Sequence, residues 1–319
     1  MKKVCQSKMQ YKPYIKRYIF CFLIVFTFYG NSFASFFAVV VQGIRIEPYN
    51  KAFEGIRSSY GNDLKRIILF DYKGDIKKYI KEKRPLIIFV IGEWALSEVS
   101  SIKKIPIVYT MVLNPYPFLS ANKNISGVSM LASAQKRFEY IKKYIPETKR
   151  IGVIYNPKHS YYLYKDLLDT ARRFHISIVA KEVPSSQDVI DAIKEISDNI
   201  DVFLMLPDVT VITPETLSFM NLFFLKKSIP IVTFSEKYLK LGALMAIYSD
   251  PFSMGFQAGI LAKKILQGKV KPPIIVWPKE KLKINPYVAK NLSLPIYEDR
   301  KGIIAHGDNK KDKGFSSNN

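Results

Sequence analysis

Polar and aromatic side chains follow nearly every long apolar run of this 319-residue sequence. Gln42 closes FFAVVVQ, Trp94 ends IIFVIGEW, Asn114 ends VYTMVLN, and Asn156 with Tyr161 follows RIGVIY. Asp208 and Thr210 follow LMLP, Ser235 and Glu236 follow IVTF, and Tyr248 and Asp250 come from LMAIYSD. These types suit hydrogen bonding and stacking, not bond making. Carboxylates and amides accept or donate hydrogen bonds to a small polar ligand. Trp94, Tyr161 and Tyr248 offer rings for stacking on a planar one. Reaction chemistry has little to work with. The histidines, His159, His175 and His306, form no metal or triad spacing, and both cysteines, Cys5 and Cys21, lie in the first 35 residues. No glycine-rich dinucleotide fingerprint or phosphate loop follows any apolar run. The expectation is a binding protein without catalytic residues, metal or cofactor.

The elements that must position these side chains are written in the periodicity. Ten apolar runs of strand length recur: FFAVVV, RIILF, PLIIFVIG, IPIVYTMV, ISGVSM, RIGVIY, ISIVAKEV, DVFLML, IPIVTF and GALMAIY. They are continuous rather than alternating, as expected of strands covered on both faces. Helical spacings lie between them, such as Tyr164, Leu167, Leu168, Ala171 and Phe174. Strand then helix, repeated, predicts an α/β fold with parallel sheets, and ten strands predict two sheets of five or six. The natural break lies near Ser129–Ser133. Ligands of such sheets bind outside the carboxyl ends of the strands, where the polar set falls. Each member also fits an ordinary helix cap or turn. Thr213, before Pro214 and Glu215, is predicted to cap a helix. Asp208 and Thr210 come too early for that and are predicted to face a cleft.

The first 34 residues read as a secretory signal peptide. Six basic residues in Met1–Arg17 precede the apolar YIFCFLIVFTFY and the small-residue site SFA, and cleavage is predicted after Ala34. The alternative is a retained N-terminal anchor. The formal charge of +22 falls to +16 without those six residues, and the remaining lysines are spread along the chain. No basic block interleaved with aromatics marks a nucleic-acid groove, so no nucleic-acid partner is expected. The polar segment 298–319 reads as a disordered tail.

The segments MVLNP, NISGVSM, RIGVIYNP, LPDVTVITPETLSF, IPIVTFSEKYLKLGALMAIYSDPFSMGFQAGILAKKILQGK and INPYVAKNLSLPI, taken in order, resemble the substrate-binding proteins of ABC transporters. The better-known members of that family bind aromatic amino acids. The resemblance covers about 36–297 and implies two doubly wound parallel-sheet lobes of the type 1 periplasmic-binding-protein kind, with a hinge and a central cleft. It implies an N-terminal lobe of 36–129 plus 250–278 and a C-terminal lobe of 130–249 plus 279–297. It also implies a closing strand and helix in KLKINPYVAKNLSLPI. In the best-known amino-acid binders the strand before the ligand loop ends in threonine, aspartate and asparagine. Here the loop reads Pro207-Asp208-Val209-Thr210. The expected function is an exported, extracytoplasmic, monomeric solute-binding protein. Its ligand would be a small polar or aromatic molecule, amino acids included, and its partner the membrane permease of an ABC importer. The alternative is a ligand-sensing module for a membrane histidine kinase or receptor.

Overall fold

The computed structural model describes residues 37–294 and the backbone of the strands 296–298 and 304–306. The signal-peptide reading of 1–34 lies outside the described residues, as does most of 298–319. The chain begins β1 (Ala38–Gln42), α1 (Glu47–Tyr60), β2 (Leu64–Ile68), α2 (Ile76–Lys83), β3 (Ile87–Ile91), α3 (Glu93–Val99), β4 (Ile107–Thr110), α4 (Tyr116–Ala121) and β5 (Ile125–Val128). A second cycle follows: α5 (Ala134–Tyr144), β6 (Arg150–Tyr155), α6 (Pro157–Ala171), β7 (Ser177–Glu182), α7 (Val189–Ser197), β8 (Val202–Leu204), α8 (Pro214–Lys226), β9 (Ile231–Thr233) and β10 (Met245–Tyr248). Then come α9 (Pro251–Leu266), β11 (Ile275–Val276), β12 (Lys281–Ile284), α10 (Pro286–Asn291), β13 (Ile296–Glu298) and β14 (Ile304–His306).

Two six-stranded sheets result, ordered β11-β5-β4-β3-β1-β2 and β12-β10-β9-β8-β6-β7. All pairings in them are parallel except β10 with β12. The ten apolar runs are β1–β10, and the closing strand and helix are β12 and α10. Two features were not anticipated. The two-residue β11 joins the first sheet beside β5. Within the segment read as disordered, Ile304–His306 pairs antiparallel with Ile296–Glu298.

Burial explains the composition. Val39, Val40 and Val41 in β1 are fully buried because helices cover both faces of the sheet. Each such side chain contributes about 1.5–3 kcal/mol. On the first sheet one face carries Ile56 of α1 and Ala258 of α9, and the other Ile80 of α2 and Leu96 of α3. The second sheet lies between Phe138 of α5 with Leu167 of α6 and Ile193 of α7 with Phe224 of α8. The edge strands β2 and β7 differ, carrying exposed Lys65, Glu182 and partly exposed Lys181, charges that discourage further pairing. Although α9 follows β10 of the second sheet, it packs on α1 of the first. Among the described residues, three crossings therefore connect the two sheets: 129–133, Ser249–Asp250 and 277–280.

Asp201 ties the starts of β6 and β8. Its carboxylate accepts hydrogen bonds from the backbone N–H of Lys149 and Arg150, at 2.8 and 2.7 Å, and from the Arg150 guanidinium at 3.0 Å. Burial opposes its ionisation, but these donors outweigh burial and hold the carboxyl below its ordinary value. The stability it adds is therefore complete above its unfolded pKa, about 4, and is lost as pH falls through the lower folded value. Asp201→Asn is expected to flatten that part of the acid-unfolding curve, which urea melts at pH 3 to 6 would show.

Candidate functional site

The carboxyl ends of the two sheets face each other. Leu113, after β4, and Pro207, Asp208 and Val209, after β8, line one cavity. Tyr162 in α6 donates its hydroxyl hydrogen to the Leu113 carbonyl at 3.0 Å, and its ring lies 5.6 Å from that of Tyr116. Burial pushes the Tyr162 phenol well above its ordinary pKa, and the carboxylates of Glu93 from the first half and Asp208 from the second add to the shift. Tyr162 thus stands between the two halves. Tyr162→Phe keeps the ring and removes one bond. A loss of about 1 kcal/mol in a urea melt is expected, with a larger radius of gyration in the ligand-free state.

Asp208 organises the second half of this crevice. It is 2% exposed. One carboxylate oxygen accepts the Asn156 N–H at 2.8 Å and the Ser160 hydroxyl, and the other accepts the Thr210 N–H at 2.9 Å. Asn156 caps α6 through its bond from Lys158 N–H at 2.9 Å, and its amide nitrogen donates to Thr210 Oγ1 at 3.0 Å and to the Pro184 carbonyl at 3.2 Å. Asn156, Asp208 and Thr210, predicted separately from three sequence positions, form one network that joins the loops after β6, β7 and β8. Asp208 therefore borders the cavity while its carboxylate holds backbone. Thr213 caps α8 in a reciprocal box with Thr216, with Pro214 at the first helical position.

Gln42 is the last residue of β1, not the first after it, and is fully buried. Its amide donates to the Ile44 carbonyl at 2.7 Å and to Asn50 Oδ1 at 3.3 Å, and accepts two bonds from the Arg66 guanidinium at 2.7 and 3.1 Å. Arg66 also bonds Asn50 and lies 4.3 Å over the Phe53 ring. Burial, then repulsion from Arg45, lowers its pKa. The sequence signal for Arg66 is an arginine beside Lys65 at the head of the apolar run RIILF. Trp94, 45% exposed at the start of α3, packs over Gly43, the residue after Gln42.

The remaining residues form separate groups. Glu236 pairs with Lys283 at 2.8 Å and bonds the Tyr248 hydroxyl, and these two contacts, the lysine first, hold its carboxyl below the ordinary range. Tyr248 is itself the last residue of β10. Asp250 caps α9 through Ser253 N–H and hydroxyl, at 3.1 and 2.6 Å, and pairs with Lys281 at 3.2 Å. Asn114 receives Tyr116 N–H at 3.3 Å as a turn residue. It lines a cavity of about 680 Å³ with Tyr116, Tyr162 and Pro273. Tyr161 is half exposed beside the rings of Tyr155 and Tyr164. Ser235 makes no capping bond. Tyr162 and Glu93 follow β6 and β3 beside Tyr161 and Trp94, and Tyr162 bridges the two halves; Arg66 acts instead from β2 on Gln42.

The arrangement can hold a small molecule between the two halves. A tyrosine-binding protein of Clostridioides difficile is 30% identical over 200 residues, which are 60% of this chain and 57% of that protein. The chain thus matches little more than half the length of that relative. A ligand-free, open structure of a substrate binding protein with adhesive properties from Clostridium difficile is similar, with a TM-score of 0.65 at 20% identity over 83% of this chain and 97% of that one. So is an ABC domain in complex with L-Trp from Streptococcus pneumonia, with a TM-score of 0.55 at 19% identity over 81% and 94%. These likenesses show the type 1 periplasmic-binding-protein fold. The family model for ABC transporter substrate binding proteins matches residues 72–300, most of both sheets and all three crossings, and this chain belongs to the ABC transporter substrate-binding protein family.

Proposed function

We propose that this protein is the exported solute-binding component of an ABC importer, and that it captures a small polar or aromatic molecule between two closing lobes. The observation that carries this reading is the meeting of the two sheets' carboxyl ends at Leu113, Tyr162 and Asp208, with only three chain crossings between them. The lobes would be 36–129 plus 250–278 and 130–249 plus 279–297, rotating about the crossings. Closure would exclude water and strengthen each hydrogen bond to the ligand. Trp94, Tyr161 and Ser235 have side chains available for it. Asn156, Asp208 and Gln42 would shape the walls, since their polar atoms already have partners. An amino acid, tyrosine or tryptophan foremost, is the ligand favoured by the named relatives. Removal of residues 1–34 as a signal peptide would place the mature protein outside the cytoplasm, where it would meet its permease.

A melting-temperature screen against the amino acids and aromatic acids tests the reading. A true ligand at about 100 times its Kd adds about 2.7 kcal/mol of stability, several degrees in melting temperature. A screen without any shift, together with native mass spectra lacking a co-purified small molecule, would overturn it.

A further inference from the structure

The cavity that begins at Leu113 and Pro207 leaves the crevice and continues along α8. From Thr213 to Leu225, both in its wall, the helix rises for about 18 Å. The opposite wall is the short helix Glu236–Leu241, with Tyr238 and Leu241 facing the groove. Its volume is about 880 Å³, in the range of small-molecule sites, roughly 300–1,000 Å³. The lining is aliphatic and aromatic, and Leu222 and Leu241 stand 64% and 51% exposed in it. Such a surface is costly to leave bare to water.

Two polar features interrupt it. Asn221 lines the groove, is 8% exposed, and its Oδ1 is buried without a hydrogen-bond partner. A buried acceptor left without a donor is rare and unfavourable. Gly242 lies opposite, where even a Cβ would come to 3.7 Å from the Asn221 side chain. Lys237 also lines the groove, with its ammonium 4.7 Å over the Tyr238 ring.

We propose that this groove is a second ligand site, for an elongated amphipathic acid. An apolar acyl or aryl body would lie along α8, an N–H would donate to Asn221 Oδ1 once that amide turns from its buried position towards the groove, and a carboxylate would pair with Lys237. An N-acylated amino acid combines these three parts. The site needs no lobe closure and does not rest on the occupant of the crevice.

N-decanoylglycine and N-decanoylsarcosine, which differ in that the second carries a methyl group in place of the amide N–H, make the test. Calorimetry below their micelle-forming concentrations should show the glycine compound binding about tenfold tighter, the worth of one buried hydrogen bond. Asn221→Leu should abolish that difference. Ser218→Trp, at an exposed position in the groove wall, should weaken both compounds at least tenfold and leave amino-acid-induced melting shifts unchanged. Equal binding of the two compounds by the wild-type protein, binding insensitive to Ser218→Trp, or no binding of either would overturn the proposal. So would a concentration-dependent dimer broken by Leu222→Asp, which would assign the groove to a second copy of the chain.

Discussion

Asp208→Ala is expected to destabilise the protein by about 3 kcal/mol or more. The carboxylate is the acceptor for three donors at the start of α6 and in the loop after β8: Asn156 N–H and Ser160 hydroxyl, both buried, and Thr210 N–H, partly buried. Each donor left without a partner costs about 1–3 kcal/mol, and the Asn156 and Ser160 donors are the most deeply buried of the three. Asp208→Asn is the sharper variant. One amide oxygen can serve one side, but the NH2 group then faces donors on the other. A loss of about 2 kcal/mol is expected from that single mismatch. Urea melts of both variants measure it. Affinity is expected to fall too, since the proposed crevice wall includes the Asn156 network that Asp208 holds. Reading affinity alone would mistake that for direct contact. A variant with normal stability and lost affinity would mean that the carboxylate meets the ligand and that its internal bonds are dispensable.

Gly255→Leu should have an effect of similar size for a different reason. A Cβ built at Gly255 in α9 would lie 1.9 Å from the Ala52 carbonyl oxygen of α1, and one at Gly55 would lie 2.0 Å from the Phe252 carbonyl oxygen. Backbone meets backbone here, so no rotamer change relieves the clash. The helices must move apart, opening the layer of Ile56, Met254 and Ala258 beneath them. Overpacking costs about 1–3 kcal/mol where side chains can adjust, and more is expected where they cannot. Because α9 follows the second crossing, the displacement should reach Asp250 and its cap on Ser253. A melting temperature lowered by less than two degrees would show that the helix pair yields more easily than its contacts imply.

Sequence carried the architecture further than the site. Continuous Val- and Ile-rich runs of strand length, separated by helical spacings, fit strands buried on both faces, and the ten runs are ten strands. The two-residue β11 could not be read, because Ile275–Val276 has no period and its partner Gly127 lies far away in the chain. Strand ends differ by a residue or two: Gln42 ends β1 rather than following it, and Arg66, the first residue of the run RIILF, sits at the middle of β2. The location of the crevice was legible, since polar residues at parallel-strand ends collect on one side of a sheet. Their partners were not. Asp208 and Asn156 are 52 residues apart, and only the folded arrangement of β6 beside β8 brings carboxylate to N–H. A carboxylate in an expected cleft looks the same in sequence whether it faces a ligand or holds a loop.

Small-angle scattering on the free protein, and on the protein saturated with the amino acid or aromatic acid that most raises its melting temperature, tests the central claim most directly. Two lobes hinged at three crossings should close on that compound, so the radius of gyration should fall on saturation. An unchanged radius at saturation, with binding established by calorimetry, would contradict the account.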